Sequence, residues 1–358
     1  MNDNGLMIVS KERGIYTQIN STKVATGSFY TEKETWLTLP VDSFIKNALS
    51  LGTKIVLDPY AGDGHLLKLA EKKYSIPTTG FDIKGYQGNF NDSLLEIPFI
   101  QEAMIITNPP YLTNYSAKRK RVFASVSQYF EFGFEDLYQV ALDRCLKAAR
   151  FTVAIVPETF INSTFPKEKI VLCNTLTESP FNDTDNPVCV VCMDNQKTQH
   201  GYDLYIDDEF AINSKDLLTY KKASVYKHKI VFNDPNGNIG LKAVDGTKIG
   251  DKIMFVHGDD FHYPRESIKH SSRLLTYINL PDLRSEEVNL FVSTANSLLE
   301  DIRKNTKDLV LSPFKGNNKD GTRRRRLDYQ LARYLINESM AFITRQDKRK
   351  QFEQASLI

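Results

Sequence analysis

The tetrapeptide Asn108-Pro109-Pro110-Tyr111 directly follows the apolar run at residues 104–107. Two prolines end a strand and stiffen the backbone that follows. The Asn108 side-chain oxygen and the Pro109 carbonyl would then be fixed acceptors for both hydrogens of an aromatic amino group. Such acceptors free a lone pair that is otherwise delocalised into the ring. Tyr111 offers a flat face for stacking a base. The tetrapeptide therefore predicts chemistry at an amino nitrogen.

A glycine turn lies at residues 58–65, DPYAGDGH, between a predicted strand and a predicted helix. Ligands of doubly wound sheets bind at the carboxyl ends of strands, where glycine lets the backbone approach closely. Gly62 and Gly64 are present, but Leu67 stands where GxGxxG has its third glycine, so the dinucleotide phosphate loop is incomplete. Asp58, followed by Pro59, suits a cationic ligand better than a pyrophosphate.

Two more acids follow at the ends of later segments. Asp82, next to Ile83, is placed to accept hydrogen bonds from ribose hydroxyls. Asp92 lies before the strand that leads to Asn108 and could accept from an adenine amino group. Each acid alone is better explained as a solvated strand end. Three in this order predict a cationic cofactor that contains a nucleoside.

The elements that must position these residues alternate between strand and helix. Strands are predicted at 54–58, 78–83, 104–108, 151–157 and 188–193, with helices over 64–74 and 136–150. Strands separated by helices indicate parallel pairing, and we predict an α/β fold with a doubly wound, mostly parallel sheet. Cys189 and Cys192 have zinc spacing, but no second pair accompanies them, and a buried strand explains them better.

Beyond residue 200 the pattern changes to short runs between Gly, Asn and Asp turns at 233–260, and then to a helical end at 327–346. We predict a first domain over 15–200 and a mixed α+β domain over 201–358. Residues 301–358 contain 14 basic and 7 acidic residues, which favours a polyanionic partner.

The composition of the 358 residues is that of a soluble protein, with 41% hydrophobic and 25% charged residues. No apolar stretch approaches the about 18 residues of a membrane span, and no signal peptide is evident, so a cytoplasmic location is expected. The four cysteines are too few for a disulfide scaffold and are expected to be reduced.

Residues 25–195 resemble the N6-adenine DNA methyltransferases of the gamma-class motif order, as found in type II restriction-modification systems. GSFYTEKE at 27–34 resembles a motif that closes over the cofactor, although the family more often has Pro where Glu32 stands. DPYAGDGH resembles the cofactor loop, and NPPY is the family's catalytic tetrapeptide. Residues 155–165 are similar to a following strand and loop. Residues 179–193 resemble the segment whose phenylalanine, here Phe181, would sandwich a flipped adenine with Tyr111.

The resemblance implies a class I, Rossmann-like methyltransferase that uses S-adenosyl-L-methionine and carries a C-terminal target recognition domain. The residues implied to bind the cofactor are Tyr30, Thr31, Asp58, Pro59, Gly62, Gly64, Asp82, Ile83, Asp92 and Asn108. Those implied to act on the base are Asn108, Pro109, Pro110, Tyr111 and Phe181. The reaction would be direct methyl transfer to adenine N6 after base flipping in double-stranded DNA, without a metal. We expect a monomer beside a companion restriction endonuclease that acts separately.

Two basic runs are candidates for contacts with DNA phosphates. They comprise Lys118, Arg119, Lys120 and Arg121, and then Lys315 with Arg323, Arg324, Arg325 and Arg326. A solvated face is the competing interpretation of each run. The same NPPY motif also occurs in RNA and protein-glutamine methyltransferases, which remain alternative functions. A catalytically silent DNA-binding module is a third, but Asn108 and the glycine turn are intact.

Overall fold

The computed structural model describes residues 31–355, except 32, 183, 185, 223, 224, 226, 249, 316 and 319–321. These residues divide into two compact units, with the division between Ala211 and Ile212. Across the described chain, helices long and apolar enough to cross a membrane are absent.

The first unit is an eight-stranded sheet with helices. The helices are α1 (Leu39–Ser50), α2 (His65–Tyr74), α3 (Asn114–Arg119), α4 (Phe123–Val126) and α5 (Leu137–Ala148), with short 3₁₀ segments at Glu34–Trp36, Ser127–Phe132 and Glu158–Asn162. The strands are β1 (Ile55–Asp58), β2 (Thr78–Gly80), β3 (Ala103–Thr107), β4 (Phe151–Pro157), β5 (Ile170–Thr175), β6 (Val188–Asp194), β7 (Asp203–Ile206) and β8 (Glu209–Asn213).

The sheet has the strand order β2-β1-β3-β4-β6-β5-β7-β8. Strands β1, β2, β3 and β4 pair in parallel, as predicted, whereas β6 is antiparallel to both β4 and β5. No helix is found among the described residues between β5 and β6, and a parallel crossover usually needs one, whereas an antiparallel connection does not. The sheet is therefore mixed, with a parallel half that is doubly wound.

Helices cover both faces of the parallel half. Val56 and Met104 pack in one core cluster with residues of α1 and α2. Leu57 and Ile105 pack in a second cluster with Cys145 of α5. Successive side chains of a strand point to opposite faces, so β1 and β3 are apolar up to their last residues, Asp58 and Thr107, because both of their faces are buried.

The connections create a switch point between β1 and β3. The chain runs from β1 to β2 on one side and then returns to place β3 on the other side of β1. In such sheets the ligand crevice lies outside the carboxyl ends of the strands at the switch point. Asp58 ends β1, and Asn108 directly follows β3. The fold thus brings the two most informative sequence motifs to one edge.

The second unit is a mixed α+β structure. Its antiparallel sheet has the order β11-β10-β12-β9 and comprises β9 (Val231–Phe232), β10 (Ile239–Lys242), β11 (Met254–His257) and β12 (Leu275–Asn279). The remaining elements are α6 (Ser214–Thr219), α7 (Val288–Asn305), the pair β13 (Ser312–Pro313) and β14 (Arg325–Arg326), and α8 (Tyr329–Ala355). The division after Ala211 lies later in the sequence than the predicted boundary at residue 200, because β7 and the first residues of β8 belong to the first unit.

Candidate active site

A cavity of about 460 Å³ opens at the carboxyl ends of β1 and β3. The predicted site residues that line it are Thr31, Asp58, Pro59, Gly62, Asp82, Ile83, Asp92, Asn108 and Pro110. Gly64 is the N-cap residue of α2 and is not among the lining residues. Tyr30, the remaining residue predicted to bind a cofactor, and Glu32 lie outside the described residues. One cavity therefore gathers motifs that are separated by up to 79 residues in the sequence.

The glycine turn and the Asp82 carboxylate are held together by backbone hydrogen bonds. The Gly62 N–H donates to Asp82 Oδ2 at 3.1 Å, and the Lys84 N–H donates to Asp82 Oδ1 at 2.8 Å. Gly62 and Gly64 have φ values of 52° and 74°, in the left-handed region that favours glycine. Both Asp82 oxygens keep acceptor capacity, since a carboxylate offers about four lone-pair sites.

Gly64 lies against the Tyr86 side chain, which leaves no room for a Cβ. A Cβ at Gly64 would lie 2.5 Å from the Tyr86 ring, so Gly64→Ala adds a clash to the left-handed strain. We expect Gly64→Ala to lower the free energy of unfolding of the first unit by about 2–3 kcal/mol. The single tryptophan, Trp36, is 1% exposed in this unit, and its fluorescence in denaturant measures the change.

Gly88→Ala is the matched control for this prediction. Gly88 has φ 86°, but a Cβ there would have open space around it. It should cost only the strain of the left-handed backbone, about 1 kcal/mol. Equal losses for the two variants would show that the contact with Tyr86 does not constrain the turn.

Asp58 is a buried carboxyl at the end of β1, 2% exposed. Burial raises its pKa to about 7, although hydrogen bonds from the Thr107 hydroxyl and the Tyr60 N–H oppose the increase and the charge of Asp82 adds to it. Those two hydrogen bonds to Asp58 Oδ1 measure 2.6 and 3.0 Å. A buried carboxylate of this kind gains most from a cationic ligand, which would offset the cost of its ionisation.

Asp92 lies where the cavity wall becomes apolar. Its Oδ2 accepts a hydrogen bond from the Tyr129 hydroxyl at 2.8 Å, and its Oδ1 accepts from the Leu94 N–H at 3.3 Å. The apolar side chains that line this part are Leu94, Leu112, Val122, Val126 and Leu137. An apolar slot with one carboxylate suits an aromatic ring that carries an amino group.

The sequence interpretation missed Val122, Val126 and Tyr129. They lie in or beside α4 and the 3₁₀ segment that follows it, in the stretch VFASVSQYF after the first basic run. These elements are short, and no motif marks them. The only available signal was an apolar pattern next to the basic run.

The Asn108 amide is held on both sides. Its Nδ2 donates to Thr31 Oγ1 at 3.2 Å, and its Oδ1 accepts from the Tyr111 hydroxyl at 2.5 Å. The same hydroxyl lies 2.8 Å from the Ile155 carbonyl oxygen. Burial raises the pKa of Tyr111 well above its usual value, so this hydroxyl keeps its proton. A target amino group would compete with Tyr111 for the Asn108 oxygen.

The backbone after the tetrapeptide is pinned to the start of α5. The Leu137 N–H donates to the Leu112 carbonyl at 3.1 Å, and the Asn114 N–H donates to the Glu135 carbonyl at 2.9 Å. Asp136 caps α5 and also accepts from the Leu112 N–H at 3.1 Å. These hydrogen bonds join the two ends of residues 114–135, here called the 114–135 loop, next to NPPY.

Phe181 lies beside Tyr111 but does not yet form a slot for a base. The ring centroids are 6.4 Å apart and the planes are inclined by 62°, an edge-to-face arrangement. Phe181 is also 2% exposed. The two rings are neighbours, but the sandwich stays a prediction, because it would require them to separate and become parallel.

The first basic run is mostly exposed on the 114–135 loop. Lys118, Arg119 and Arg121 are exposed, whereas Lys120 is half-buried. Burial lowers the pKa of Lys120, and the neighbouring Arg119 adds to the effect. The Lys118 ammonium lies 4.9 Å from the centre of the Phe123 ring. Three cations are therefore available to solvent within four positions.

The second basic run is partly structural. Arg325 lies in β14, is 5% exposed, and its N–H donates to Asp245 Oδ2 at 3.0 Å. The Arg324 Nε donates to the Asp245 carbonyl, and Arg323 donates to Asn317 Oδ1. Lys315 is exposed. Arg325 is thus the only buried arginine of the run, which does not favour a phosphate contact by its side chain, and contacts of the run with DNA stay a prediction.

Metal-binding groups of three or more His, Cys, Asp or Glu side chains are absent from the described residues. Cys189 and Cys192 are buried in β6, where the apolar pattern places them.

Neither family models nor curated proteins match this chain. Among solved structures it is similar to the modification subunit of a putative type I restriction enzyme from Vibrio vulnificus YJ016, at 14% identity and TM-score 0.36 over 50% of this chain and 47% of that one. A type I restriction-modification methyltransferase subunit from Streptococcus thermophilus gives 16% identity and TM-score 0.34 over 51% and 48%. A putative class I S-adenosylmethionine-dependent methyltransferase from Listeria monocytogenes gives 15% and 0.30 over 47% and 63%. The chain spans less than two thirds of each of these three proteins, and each TM-score is below 0.5.

Proposed function

We propose that this chain is an S-adenosylmethionine-dependent methyltransferase that acts on adenine N6 in double-stranded DNA. One observation carries the proposal: the Asn108 amide lines the same cavity as the carboxyls of Asp58, Asp82 and Asp92. An acceptor for an amino group and a site for a cationic nucleoside thus share one space.

The cavity suits this cofactor in charge and in shape. Asp58 would neutralise its cationic amino-acid part, Asp82 would accept from the ribose hydroxyls, and Asp92 would accept from the adenine amino group. The apolar walls beside Asp92 would enclose the adenine ring. When bound, S-adenosylmethionine supplies an electrophilic methyl group on a sulfonium.

The residues of the tetrapeptide would prepare the attacking nitrogen. The Asn108 oxygen and the Pro109 carbonyl would accept its two hydrogens, which draws the nitrogen away from conjugation with the ring. Pro109 is buried and Pro110 lines the cavity, and the two proline rings restrict the backbone that carries these acceptors. In the transfer the nitrogen would form a bond to the methyl carbon as the sulfonium–methyl bond breaks, and it would release its proton to solvent, with no covalent bond to the chain.

Duplex DNA hides adenine N6, so the base would have to leave the helix at a cost of a few kcal/mol. Tyr111 and Phe181 would capture it by stacking, and the exposed cations of the 114–135 loop would bind neighbouring phosphates. The second unit would supply target recognition, as in a restriction-modification enzyme that acts as a monomer beside a separate endonuclease.

The test is incubation of the purified chain with methyl-labelled donor and, separately, duplex DNA, RNA and protein. We expect label only in DNA, in N6-methyladenine at one sequence context, identified by sequencing of the modified bases. The NPPY motif is also compatible with RNA or protein-glutamine methylation. Label in RNA or in glutamine would replace the proposal with that alternative, and no label in any of the three would refute it.

The basic run predicts a measurable salt dependence. Changing Arg119 and Arg121 together to alanine should weaken DNA binding uniformly across sequences, because phosphate contacts carry no base information. The slope of log affinity against log salt should fall by about 2 if each arginine contacts one phosphate. Fluorescence anisotropy of labelled duplexes at several salt concentrations measures this slope.

Lys46→Ala combined with Lys54→Ala is the control with the same change in net charge. Both lysines are exposed on the first unit and pair with Asp42 and Glu102. The Lys54–Glu102 pair is exposed and contributes little to stability, and the buried Asp42 keeps its contacts with Tyr74 and Lys73 when Lys46 is removed. If this control lowered the salt slope as much as the arginine changes did, net charge alone would explain the effect.

A further inference from the structure

The 114–135 loop has two different faces. Its exposed positions carry the basic run, whereas Val122, Val126 and Tyr129 line the cavity. The base of the loop is pinned between Leu112 and Leu137, next to the catalytic tetrapeptide. The loop therefore forms a wall of the cavity as well as a candidate surface for DNA.

The Tyr129 hydroxyl ties this loop to the opposite side of the cavity. It donates to Asp92 Oδ2 at 2.8 Å, across 37 positions of sequence. Burial raises the pKa of Tyr129, and the hydrogen bond to Asp92 contributes, so the hydroxyl remains a donor. Tyr129 is 6% exposed, and its ring packs with Leu94, Leu112 and Leu137.

The other support of the Asp92 carboxylate is weaker. Its Oδ1 accepts from the Leu94 N–H at 3.3 Å, at the long end of the range for such bonds. Without Tyr129 the carboxylate would rotate about its terminal torsion, which is broad for aspartate. With Tyr129 both oxygens are fixed, and each still has acceptor capacity for a ligand.

We propose that Tyr129 is a positioning residue that fixes the Asp92 carboxylate so that it selects a 6-amino purine in the methyl donor, and that the same hydrogen bond holds the 114–135 loop against the cavity. This inference rests on the proposed function, in which Asp92 contacts the adenine of the cofactor.

The chemistry of selection is a match between donors and acceptors. A carboxylate accepts a hydrogen bond from the adenine amino group but meets the lone pairs of a 6-oxo group in the inosine analogue. A site built to pair with a donor rejects the analogue that lacks it, because the acceptor is left unpaired. The strength of this rejection depends on how firmly the acceptor is oriented.

Calorimetric titration with S-adenosylhomocysteine and S-inosylhomocysteine tests the inference without any methyl transfer. We expect the unchanged chain to prefer the adenine compound by at least about tenfold. Tyr129→Phe keeps the ring and removes the hydroxyl, so it should weaken adenosylhomocysteine binding about tenfold and erase most of the preference.

Tyr74→Phe is the matched control, because the Tyr74 hydroxyl also donates to an aspartate, Asp42 Oδ1 at 2.7 Å, away from the cavity. It should leave both affinities within about twofold. Trp36 fluorescence in denaturant reports whether the two variants lose stability to a similar extent.

Asp92→Asn gives a second, independent readout. With Tyr129 donating to the amide oxygen, the amide nitrogen would stand where Asp92 Oδ1 accepts the long hydrogen bond from the Leu94 N–H. That bond would be lost, the amide nitrogen would donate to the ligand, and the preference should move towards the inosine compound. In Asp92→Asn combined with Tyr129→Phe, the amide is no longer oriented and this reversal should disappear. The reversal therefore reports orientation by Tyr129 and is not expected from a general loss of packing.

The outcomes are distinct. Full adenine preference in Tyr129→Phe, or the same reversal with and without the Tyr129 hydroxyl, would overturn the inference. Equal binding of both compounds by the unchanged chain would overturn the role of Asp92 and the inference with it, while methyl transfer to DNA could still be observed. Binding of neither compound would refute the proposed function itself.

Discussion

Asn108→Ala should reduce methyl transfer by about two to three orders of magnitude, the effect of removing one preorganised acceptor or donor from a transition state. The variant keeps Asp58, Asp82 and Asp92, so S-adenosylhomocysteine should bind within about threefold of the unchanged chain. Single-turnover transfer to duplex DNA measures the first quantity and calorimetry the second. Near-normal transfer would show that the amide oxygen of Asn108 does not activate the target nitrogen.

Thr31→Val is the graded companion to that variant. Thr31 Oγ1 accepts the hydrogen bond from Asn108 Nδ2, and valine keeps the shape of the side chain while removing the acceptor. The Asn108 amide then loses the hydrogen bond that its nitrogen donates but keeps the oxygen that accepts from the target, so we expect the rate of methyl transfer to fall about tenfold. A loss as large as that of Asn108→Ala would mean that Thr31 acts directly on the substrate.

The contact between Tyr111 and Asn108 adds a step before catalysis. The Asn108 oxygen accepts from the Tyr111 hydroxyl, and the Tyr111 ring meets Phe181 edge to face. An entering base would have to replace this hydroxyl at the amide oxygen and open the two rings. The hydroxyl has a second acceptor in the Ile155 carbonyl, so its own hydrogen bond need not be lost when the base enters.

The parts of the site that sequence predicted are those attached to strand ends. Asp58 and Asn108 directly terminate or follow apolar runs, and the carboxyl ends of parallel strands meet at one edge, so proximity follows from topology. Asp82 was identified in the same way, although β2 ends at Gly80, before the predicted end at 83, whereas Asp92 was identified in the segment that precedes β3.

The parts that sequence could not predict depend on long-range packing. Tyr129 reaches Asp92 through short helical elements, which carry too few residues for a periodic pattern. Strand β6 pairs in the antiparallel direction because the chain returns without a helix. The apolar pattern of its residues does not indicate whether the strand is parallel or antiparallel to its neighbours. The burial of Arg325 follows from the pairing of β13 with β14, which a run of four arginines does not indicate.

Asp58→Asn should stabilise the first unit at neutral pH. The folded state raises the pKa of Asp58 from 3.8 to about 7, so it binds this proton more tightly than the unfolded chain does. The unchanged chain therefore loses stability as pH rises from about 4 to 7 and loses no more above that range. Asparagine does not titrate, and the difference in free energy of unfolding should grow over this interval to on the order of 4 kcal/mol. Trp36 fluorescence in denaturant at several pH values measures it.

Asp63→Asn is the control, because Asp63 is exposed in the same turn and should show little of this difference.

The gain in stability from Asp58→Asn should come with a loss of cofactor affinity. An ionised Asp58 is costly when the cavity lacks a cation and favourable when one is bound, so the variant should bind S-adenosylmethionine about tenfold more weakly at pH 8. If the Asp58 carboxyl had only a structural role, its replacement would change stability without weakening cofactor binding. If Asp58→Asn raised stability and left cofactor affinity unchanged, Asp58 would have no role in neutralising the ligand. A residue that lowers the stability of the free protein at a functional site is expected to increase ligand affinity.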